Sequence, residues 1–328
     1  MTAGSSHDEI ELKDIAAARE RIAPHVYRTP LVRSAFLSKL CGGEVKLKLE
    51  NQQRLNAFKI RGMINRVLTM TPEERRKGIV VASSGNHGIA AGYCGWKWGI
   101  EVEVFVPRST PATKVERIKG YGVRLNLEGE NYDDACARAK ARWRETDKVF
   151  IDPSSDPVAV AGHGSIGFEI MEDDPDIDTL VVPVGGGGLV TGVSLAVKAL
   201  RPGTMVYGVQ SDASPAMTAS LRDGVFYEVY PAGPSVCEGL VGGIGEIGYR
   251  YARRCIDEPV NVSERAVRRA IVALIREDKV VAEGSGAAGV AYLMEHPEAF
   301  RGRHVAIIIS GGNLDFSVLA EEIRRGED

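Results

Sequence analysis

One lysine is the strongest single candidate for chemistry in this sequence. Lys59 lies in the segment Asn-Ala-Phe-Lys-Ile-Arg-Gly, at the start of a predicted helix. Apolar residues with helical spacing follow it: Ile60, Met63, Ile64 and Val67. That spacing predicts a buried face beside the lysine. A free lysine titrates at about 10.4, and partial desolvation lowers this pKa enough for the amine to attack a carbonyl and form a Schiff base. Because most lysines beside an apolar stripe are merely solvated, the prediction needs support elsewhere in the chain.

The first support is a run of glycines, namely Gly185, Gly186, Gly187 and Gly188. The run follows an apolar strand predicted over 179–184 and opens a helix predicted over 189–200. Backbone N–H groups there can close around an anion, and the helix dipole adds attraction. The run is neither a G-x-G-x-x-G nor a Walker A motif, which disfavours a nucleotide. It therefore predicts a phosphate site, in preference to a tight turn that only needs glycine.

Two further turns carry polar groups at the ends of apolar strands, where open α/β sheets place ligands. The loop Ser83, Ser84, Gly85, Asn86, His87, Gly88 follows a strand predicted over 79–82. Its amides and hydroxyls can hold a carboxylate, and Asn86 offers a neutral donor and acceptor for a phenolic oxygen. Ser310 begins the turn Ser-Gly-Gly-Asn after a strand predicted over 305–309, and its hydroxyl can bond a ring nitrogen without supplying charge. A plain helix cap and a simple turn are the competing explanations.

Length and composition limit the classes of protein to consider. The 328 residues are enough for about two domains, and the formal net charge of −3 favours neither nucleic acid nor an anionic membrane as a partner. A small neutral or zwitterionic ligand fits better. Five widely spaced cysteines without a C-x-x-C pair argue against a disulfide framework or a zinc site. No basic, apolar leader and no run of membrane-spanning length is present, so a cytoplasmic location is expected.

Strands and helices alternate along most of the chain, which predicts an α/β fold with open parallel sheets and helices on both faces. Within this pattern a helix is predicted over 89–98 and another over 166–171, with 153–157 crossing back to another layer. The stretch 230–248 is predicted to be irregular and rich in glycine. A last helix is predicted over 319–324.

Four segments in this order resemble one enzyme family: Asn-Ala-Phe-Lys59-Ile-Arg-Gly, Ser83-Ser-Gly-Asn86-His-Gly, Gly185-Gly-Gly-Gly-Leu and Ser310-Gly-Gly-Asn. The chain resembles the serine/threonine dehydratase and serine racemase branch of the fold type II pyridoxal-phosphate enzymes, over residues 12–325. The resemblance implies two open parallel-sheet domains: a large cofactor-binding domain of 1–51 and 153–328, and a small substrate-binding domain of 52–152. It also implies homodimers or higher homo-oligomers.

The resemblance further implies a role for each motif residue. Lys59 would hold pyridoxal 5'-phosphate as a Schiff base with Phe58 beside it, and Asn86 would contact the 3-hydroxyl of the ring. Ser310 would face the pyridine nitrogen. The phosphate would lie on Gly185, Gly186, Gly187, Gly188 and Leu189. The substrate carboxylate would lie on Ser83, Ser84, Gly85, Asn86 and His87.

The expected reaction is ammonia-lyase chemistry, in which a β-hydroxy amino acid of the serine/threonine type loses water and then gives a 2-keto acid and ammonia. Lys59 would act as the general base at the α-carbon. Racemisation is the first alternative, because Ser84 could serve as a second base on the opposite cofactor face. A non-catalytic binding module or a nicotinamide enzyme on a similar sheet is the second. Glu238 and Glu283, each followed by glycine, could approach the cofactor, although exposure is commoner for either.

One segment departs from the racemase-like members, which hold a divalent cation through acidic side chains after the strand predicted over 205–210. Here Gln210, Ser214 and Ala216 have no carboxylate, and Asp212 alone would supply too few oxygen ligands for a divalent cation. No metal is therefore predicted.

Overall fold

The computed structural model of the protein consists of two sheets and the helices that cover them, and it describes residues 9–315, 319–321 and 324. In this part of the chain the strands are β1 Leu31–Arg33, β2 Glu44–Lys48, β3 Ile79–Ala82, β4 Val102–Val106, β5 Arg124–Leu127, β6 Val149–Phe150, β7 Thr179–Pro183, β8 Met205–Ser211, β9 Glu258–Val262 and β10 His304–Ile308. The helices are α1 Leu12–Ile22, α2 Ala35–Cys41, α3 Lys59–Thr69, α4 Pro72–Lys77, α5 Asn86–Trp98, α6 Ala112–Lys119, α7 Tyr132–Thr146, α8 Pro157–Asp173, α9 Gly188–Leu200, α10 Ala216–Asp223, α11 Glu246–Cys255, α12 Glu264–Ala273 and α13 Gly284–Glu295.

The strands form a six-stranded and a four-stranded sheet. The larger has the order β1-β2-β10-β7-β8-β9, and all its pairs are parallel except β1 with β2. The smaller has the order β5-β4-β3-β6 and is wholly parallel. All four strands of the smaller sheet lie between residues 79 and 150, and the strands of the larger sheet lie before and after them. This is the predicted α/β class.

Both faces of the larger sheet are buried, as its near-continuous apolar strands require. In β7 the side chains alternate between two cores: Leu180 and Val182 join one, and Val181 joins the other. Helices α8, α9 and α11 cover the first face, and α2, α12 and α13 cover the second. The smaller sheet packs on α3 and α5 through a third core that includes Ile64 and Val81. Helices thus lie on both faces, as predicted.

Helix α8 packs against both α3 and α9 through close backbone approaches. A Cβ atom on Gly62 of α3 would lie 2.3 Å from the His163 ring of α8, and one on Gly162 would lie 2.8 Å from Gly62 Cα. On the other side, a Cβ on Gly192 of α9 would lie 2.4 Å from the Val160 carbonyl oxygen. No larger residue fits at these contacts, because real Cβ atoms do not approach other atoms so closely. The start of α3 and the start of α9 are therefore held at fixed positions on one helix.

Several element boundaries differ from those predicted. Helix α5 begins at Asn86 rather than at 89, so its first turn includes part of the polar loop. Helix α8 spans 157–173 rather than 166–171, because Asp156 caps it and Pro157 begins it. The glycine-rich stretch after 230 contains a short 3₁₀ turn, Glu238–Leu240, and the start of α11. Glycine hides the apolar period on which prediction depends. The helix predicted over 319–324 falls partly outside the described residues.

None of the described helices is both long enough and apolar enough to span a membrane.

All five cysteines are free, and Cys136 is the one that is not fully buried.

Candidate active site

A single cavity of about 2260 Å³ collects the residues that the sequence singled out. Its lining includes Phe58, Lys59, Ser83, Ser84, Gly85, Asn86, His87, Gly185, Gly186, Gly187, Gly188, Leu189 and Ser310. These residues come from the start of α3 and from the turns that follow β3, β7 and β10. The volume exceeds that of an ordinary small-molecule pocket and leaves room for a substrate beside a bound ring.

Lys59 begins α3 at the wall of this cavity and is an unpaired cation. Its ammonium lies 4.8 Å from the centre of the Phe58 ring and has no hydrogen-bond or ion-pair partner among the described residues. Desolvation lowers the pKa of Lys59 to about 8, although the charges of Asp152 and Glu283 partly oppose this. A substantial fraction of the amine is therefore neutral near pH 8, as a nucleophile or base must be.

The backbone places Lys59 next to the end of β10. The Phe58 N–H donates to the Ser310 carbonyl oxygen at 3.1 Å, and Ala57 forms an isolated antiparallel bridge with Gly311. Behind Phe58 lies His163, whose ring meets the phenyl ring edge-on at 4.8 Å. Burial holds the pKa of His163 well below its usual value, so this imidazole is neutral. The aromatic pair gives the start of α3 a rigid support.

The four glycines form a bare concave turn at the start of α9. A Cβ on Gly188 would lie 2.1 Å from the Pro153 carbonyl oxygen, and one on Gly186 would lie 2.3 Å from Ser154 Oγ. Gly187 has φ +96°, which a residue with a side chain rarely adopts. Because only glycine fits, the N–H groups of this helix start are open to the cavity. This donor set fits a phosphate group.

The turn after β3 is a second helix start with open N–H groups. Ser83 Oγ accepts from the Gly85 N–H at 3.1 Å and shapes the turn, while Ser84 is half-buried at the cavity wall. The His87 ring faces inward: Nε2 lies 2.8 Å from the Ile151 carbonyl oxygen, which can only accept, so Nε2 carries the hydrogen. Burial, reinforced by the charge of Lys59, lowers the pKa of His87 to about 3. His87 can thus offer its backbone N–H to an anion but not a charged ring.

Ser310 is 4% exposed and lines the cavity. Its hydroxyl has no hydrogen-bond partner in the described part of the chain. No carboxylate takes this position, so a ring nitrogen here would meet a neutral group. The glycine amides, Asn86, Ser310 and Lys59 line one cavity, and their chemistry fits the phosphate, the ring oxygen, the ring nitrogen and the aldehyde of pyridoxal phosphate, in that order.

The structure separates the two glutamates that the sequence left open. Glu238 is exposed over 68% of its side chain and forms an ion pair with Lys114 of α6. Glu283 accepts a hydrogen bond from Asn86 Nδ2 at 2.8 Å and another from the Asn313 N–H at 3.2 Å. Burial raises the pKa of Glu283 to about 7. The position of Glu283 depends on packing between α5, α13 and the turn after β10, for which the sequence carries no local signal.

The segment after β8 that was considered for a cation is held by hydrogen bonds within the chain. Gln210 Oε1 accepts from the N–H groups of Met217 and Thr218, and Gln210 Nε2 donates to the Val184 carbonyl oxygen at 3.3 Å. Among the residues that the structure covers, no group of three or more potential metal ligands occurs.

Comparisons with known proteins agree on one family. Residues 22–311 match the family described as "Pyridoxal-phosphate dependent enzyme". L-threonine ammonia-lyase of Thermotoga maritima is 41% identical over 318 residues, which cover 97% of this chain and 79% of that protein. The catabolic L-threonine dehydratase TdcB of Escherichia coli K12 is 38% identical over 315 residues, or 95% of each protein. The solved structure of maize serine racemase has a TM-score of 0.88 at 31% identity and covers 97% of this chain and 98% of that one.

Proposed function

The chain belongs to the family of pyridoxal-phosphate dependent enzymes and is a lyase of the ammonia-lyase type, and we propose that it deaminates L-threonine and L-serine. The observation that carries the proposal is the position of Lys59: a desolvated, unpaired amine in one cavity with the glycine turn, Asn86 and Ser310. Threonine is suggested by relatives that are 38% and 41% identical over nearly the whole chain and are named for it, and serine is added as the smaller β-hydroxy amino acid of the same type.

In this proposal the larger sheet and its helices hold the cofactor, and the smaller sheet supplies the substrate loop. The division lies at 51/52 and 152/153. The N–H groups of Gly185, Gly186, Gly187, Gly188 and Leu189 bind the phosphate. Asn86 and Ser310 would hold the ring oxygen and the ring nitrogen, and Phe58 would pack beside the lysine. When bound, pyridoxal phosphate supplies an electron-withdrawing ring that makes the α-proton of an amino acid removable.

The remaining steps belong to residues of this chain. The substrate carboxylate lies on the backbone N–H groups at the start of α5, from Ser83 to His87, where the helix dipole favours an anion. Lys59, partly neutral near pH 8, accepts the α-proton at Nζ. The hydroxyl of Ser310 is neutral and would not stabilise a positive charge on a ring nitrogen, which favours elimination over reprotonation at the α-carbon. The β-hydroxyl would leave as water with the proton that Lys59 Nζ has accepted.

Racemisation is a second candidate function because of one observation. The Ser84 hydroxyl lies at the cavity wall and has no hydrogen-bond partner among the described residues. A hydroxyl on the cofactor face opposite Lys59 could return a proton with inverted configuration. The alternative role of Ser84 is to bind the substrate carboxylate alone.

The test is a product assay with purified, pyridoxal-phosphate-loaded protein. We expect 2-keto acid and ammonia in equal amounts from L-threonine and L-serine, and slower release from bulkier β-hydroxy amino acids such as 3-hydroxyaspartate and phenylserine. Chiral analysis of the residual serine decides the second candidate, because D-serine without keto acid would identify a racemase. Colourless protein that releases no keto acid would reject the proposal in favour of a binding module.

Two further properties are part of this proposal. A cytoplasmic location is consistent with the free thiols. Association into homodimers or higher oligomers is expected from the family.

A further inference from the structure

A chain of directional hydrogen bonds runs from the surface of the cleft to Glu283. Arg117 of α6 donates to Asn313 Oδ1 at 2.7 Å. Asn313 Nδ2 donates to the Leu55 carbonyl oxygen at 2.9 Å and to Asn86 Oδ1 at 2.7 Å. Asn86 Nδ2 in turn donates to Glu283 Oε1 at 2.8 Å. Two asparagine side chains are thus linked in series between a guanidinium and a carboxylate.

The two ends of this chain determine the orientation of both amides. A guanidinium can only donate and a backbone carbonyl can only accept, so Asn313 must turn its oxygen to Arg117 and its nitrogen to Leu55. Ionised Glu283 can only accept, so Asn86 must turn its nitrogen to Glu283. One hydrogen of Asn86 Nδ2 is used by Glu283, and the other has no partner among the described residues. Asn86 is half-buried at the cavity wall, so this second hydrogen is available to a ligand.

Glu283 occupies a position that requires two acceptors. Its Oε1 faces Asn86 Nδ2, and its Oε2 accepts from the Asn313 N–H at 3.2 Å. A Cβ atom on Gly311 would lie 2.6 Å from Glu283 Oε1, so the carboxylate packs directly on the turn that follows Ser310. A glutamine at 283 has one acceptor and one donor, and in either orientation it would place an N–H against another N–H.

We propose that Glu283 is a positioning residue that holds the Asn86 amide with one N–H directed at the ring oxygen of the cofactor. The inference rests on the proposed role of Asn86 and adds the residue that enforces it. A hydrogen bond donated to the ring oxygen stabilises its ionised form, so loss of this orientation changes the electronic state of the bound ring. Burial raises the pKa of Glu283 to about 7, so at pH 8 the accepting, ionised form predominates. The charge of Glu238 raises the pKa of Glu283, and the charge of Lys114 lowers it. The charge of Glu283 in turn raises the pKa of Lys59.

The experiment compares Glu283→Gln with Glu238→Gln in purified holoenzyme at pH 8. Both replace a Glu-Gly glutamate at the same cavity, but the Glu238 carboxylate has no bond to Asn86 or Asn313. For Glu283→Gln we expect the dissociation constant of pyridoxal phosphate to rise about tenfold, because one buried donor is left unpaired. We also expect a lower ratio of visible to near-ultraviolet absorption by the bound cofactor. Glu238→Gln should retain both wild-type values.

A wild-type dissociation constant and a wild-type spectrum in Glu283→Gln would overturn the inference. Should that variant fail to fold, Glu283→Asp carries the same comparison, because it keeps two acceptors but withdraws them from Asn86 by one methylene. Wild-type values for both quantities in Glu283→Asp would equally overturn it. Failure of the proposed function is distinct, since wild-type protein would then bind no pyridoxal phosphate or release no keto acid.

Discussion

Two cations lie two residues apart on α3 and have opposite surroundings. Arg61 is fully buried, and all its guanidinium nitrogens donate: to both oxygens of Glu50, to both oxygens of Glu169, and to Ser165 Oγ and the Tyr27 carbonyl oxygen. Lys48, also buried, donates to Glu169 Oε2 at 2.6 Å. Lys59 has no such partner in the described part of the protein, and its ammonium lies over the Phe58 ring, 4.8 Å from the ring centre.

The presence or absence of partners distinguishes a charge that stabilises the fold from one whose pKa is shifted towards reactivity. In the Arg61 cluster, two cations and two carboxylates satisfy one another, and the cluster joins α3 to β2 and α8. Removing one partner there leaves an uncompensated buried charge. At Lys59 the missing partner is the property that matters, because desolvation without pairing lowers the pKa of the amine to about 8. One helix therefore carries, two residues apart, a fully ion-paired arginine and the unpaired lysine for which we propose a chemical role.

The largest expected effect comes from removing the unpaired cation. Lys59→Ala should lower keto-acid release from L-threonine on the order of a thousandfold or more, because the general base is lost. Its free energy of unfolding should not fall, since no ion pair is broken. Lys77→Ala on α4, whose ammonium is exposed and paired with Glu73, is the matched control and should retain activity. Wild-type turnover by Lys59→Ala would remove Lys59 from the mechanism.

Removing the paired cation, Arg61, should instead lower the stability of the protein. Arg61→Ala should lower the free energy of unfolding by about 3–5 kcal/mol, as when one member of a buried ion pair is deleted. Urea denaturation measures this. Arg108→Ala, which breaks an ion pair with Glu130 that is exposed on both sides, should change it by less than about 1 kcal/mol. Equal effects for Arg61 and Arg108 would contradict the structural role of the cluster.

The stability of the cofactor-free protein should depend on pH through Lys59. The pKa of Lys59 is about 8 in the folded state and about 10.4 when unfolded, so between these values the unfolded chain binds more protons. Wild-type stability should therefore rise through this interval relative to Lys59→Met, which has no ammonium. Below pH 8 the variant should be the more stable protein. A stability difference that stays constant from pH 7 to 10.5 would show that Lys59 is not desolvated.

The smallest expected effect is at Ser310. Ser310→Ala removes one neutral hydrogen bond, so turnover of L-threonine should fall by about two- to tenfold. Ser310→Asp places a charge at the ring nitrogen and should alter the partition between elimination and return of the α-proton, measured as exchange of that proton with solvent. If neither variant differs from the wild type, Ser310 does not contact the ring.

The fold class and most of the candidate site could be predicted from the sequence, because apolar strands and the turns after them are local patterns. The apolar strands before the turns at Ser83, Gly185 and Ser310 fixed the sheet class, and their carboxyl ends meet at one cavity. The Arg61 cluster had no such signal, since a charged residue is expected on the surface unless its partners are known. Glu169 is 108 residues from Arg61, and Glu50, although only 11 residues away, lies on a different element, so only the fold brings both carboxylates to Arg61. The orientation of Asn86 likewise depends on Glu283 and on packing that no single segment encodes.

We propose that Lys59 is the residue that carries the cofactor. Holoenzyme reduced with borohydride and digested with protease should yield one pyridoxyl-modified peptide, with the label on Lys59, as identified by mass spectrometry. Lys59→Ala should yield no label under the same conditions. A label on another lysine of the wild-type protein, or spread over surface lysines with Lys59 unmodified, would contradict the account.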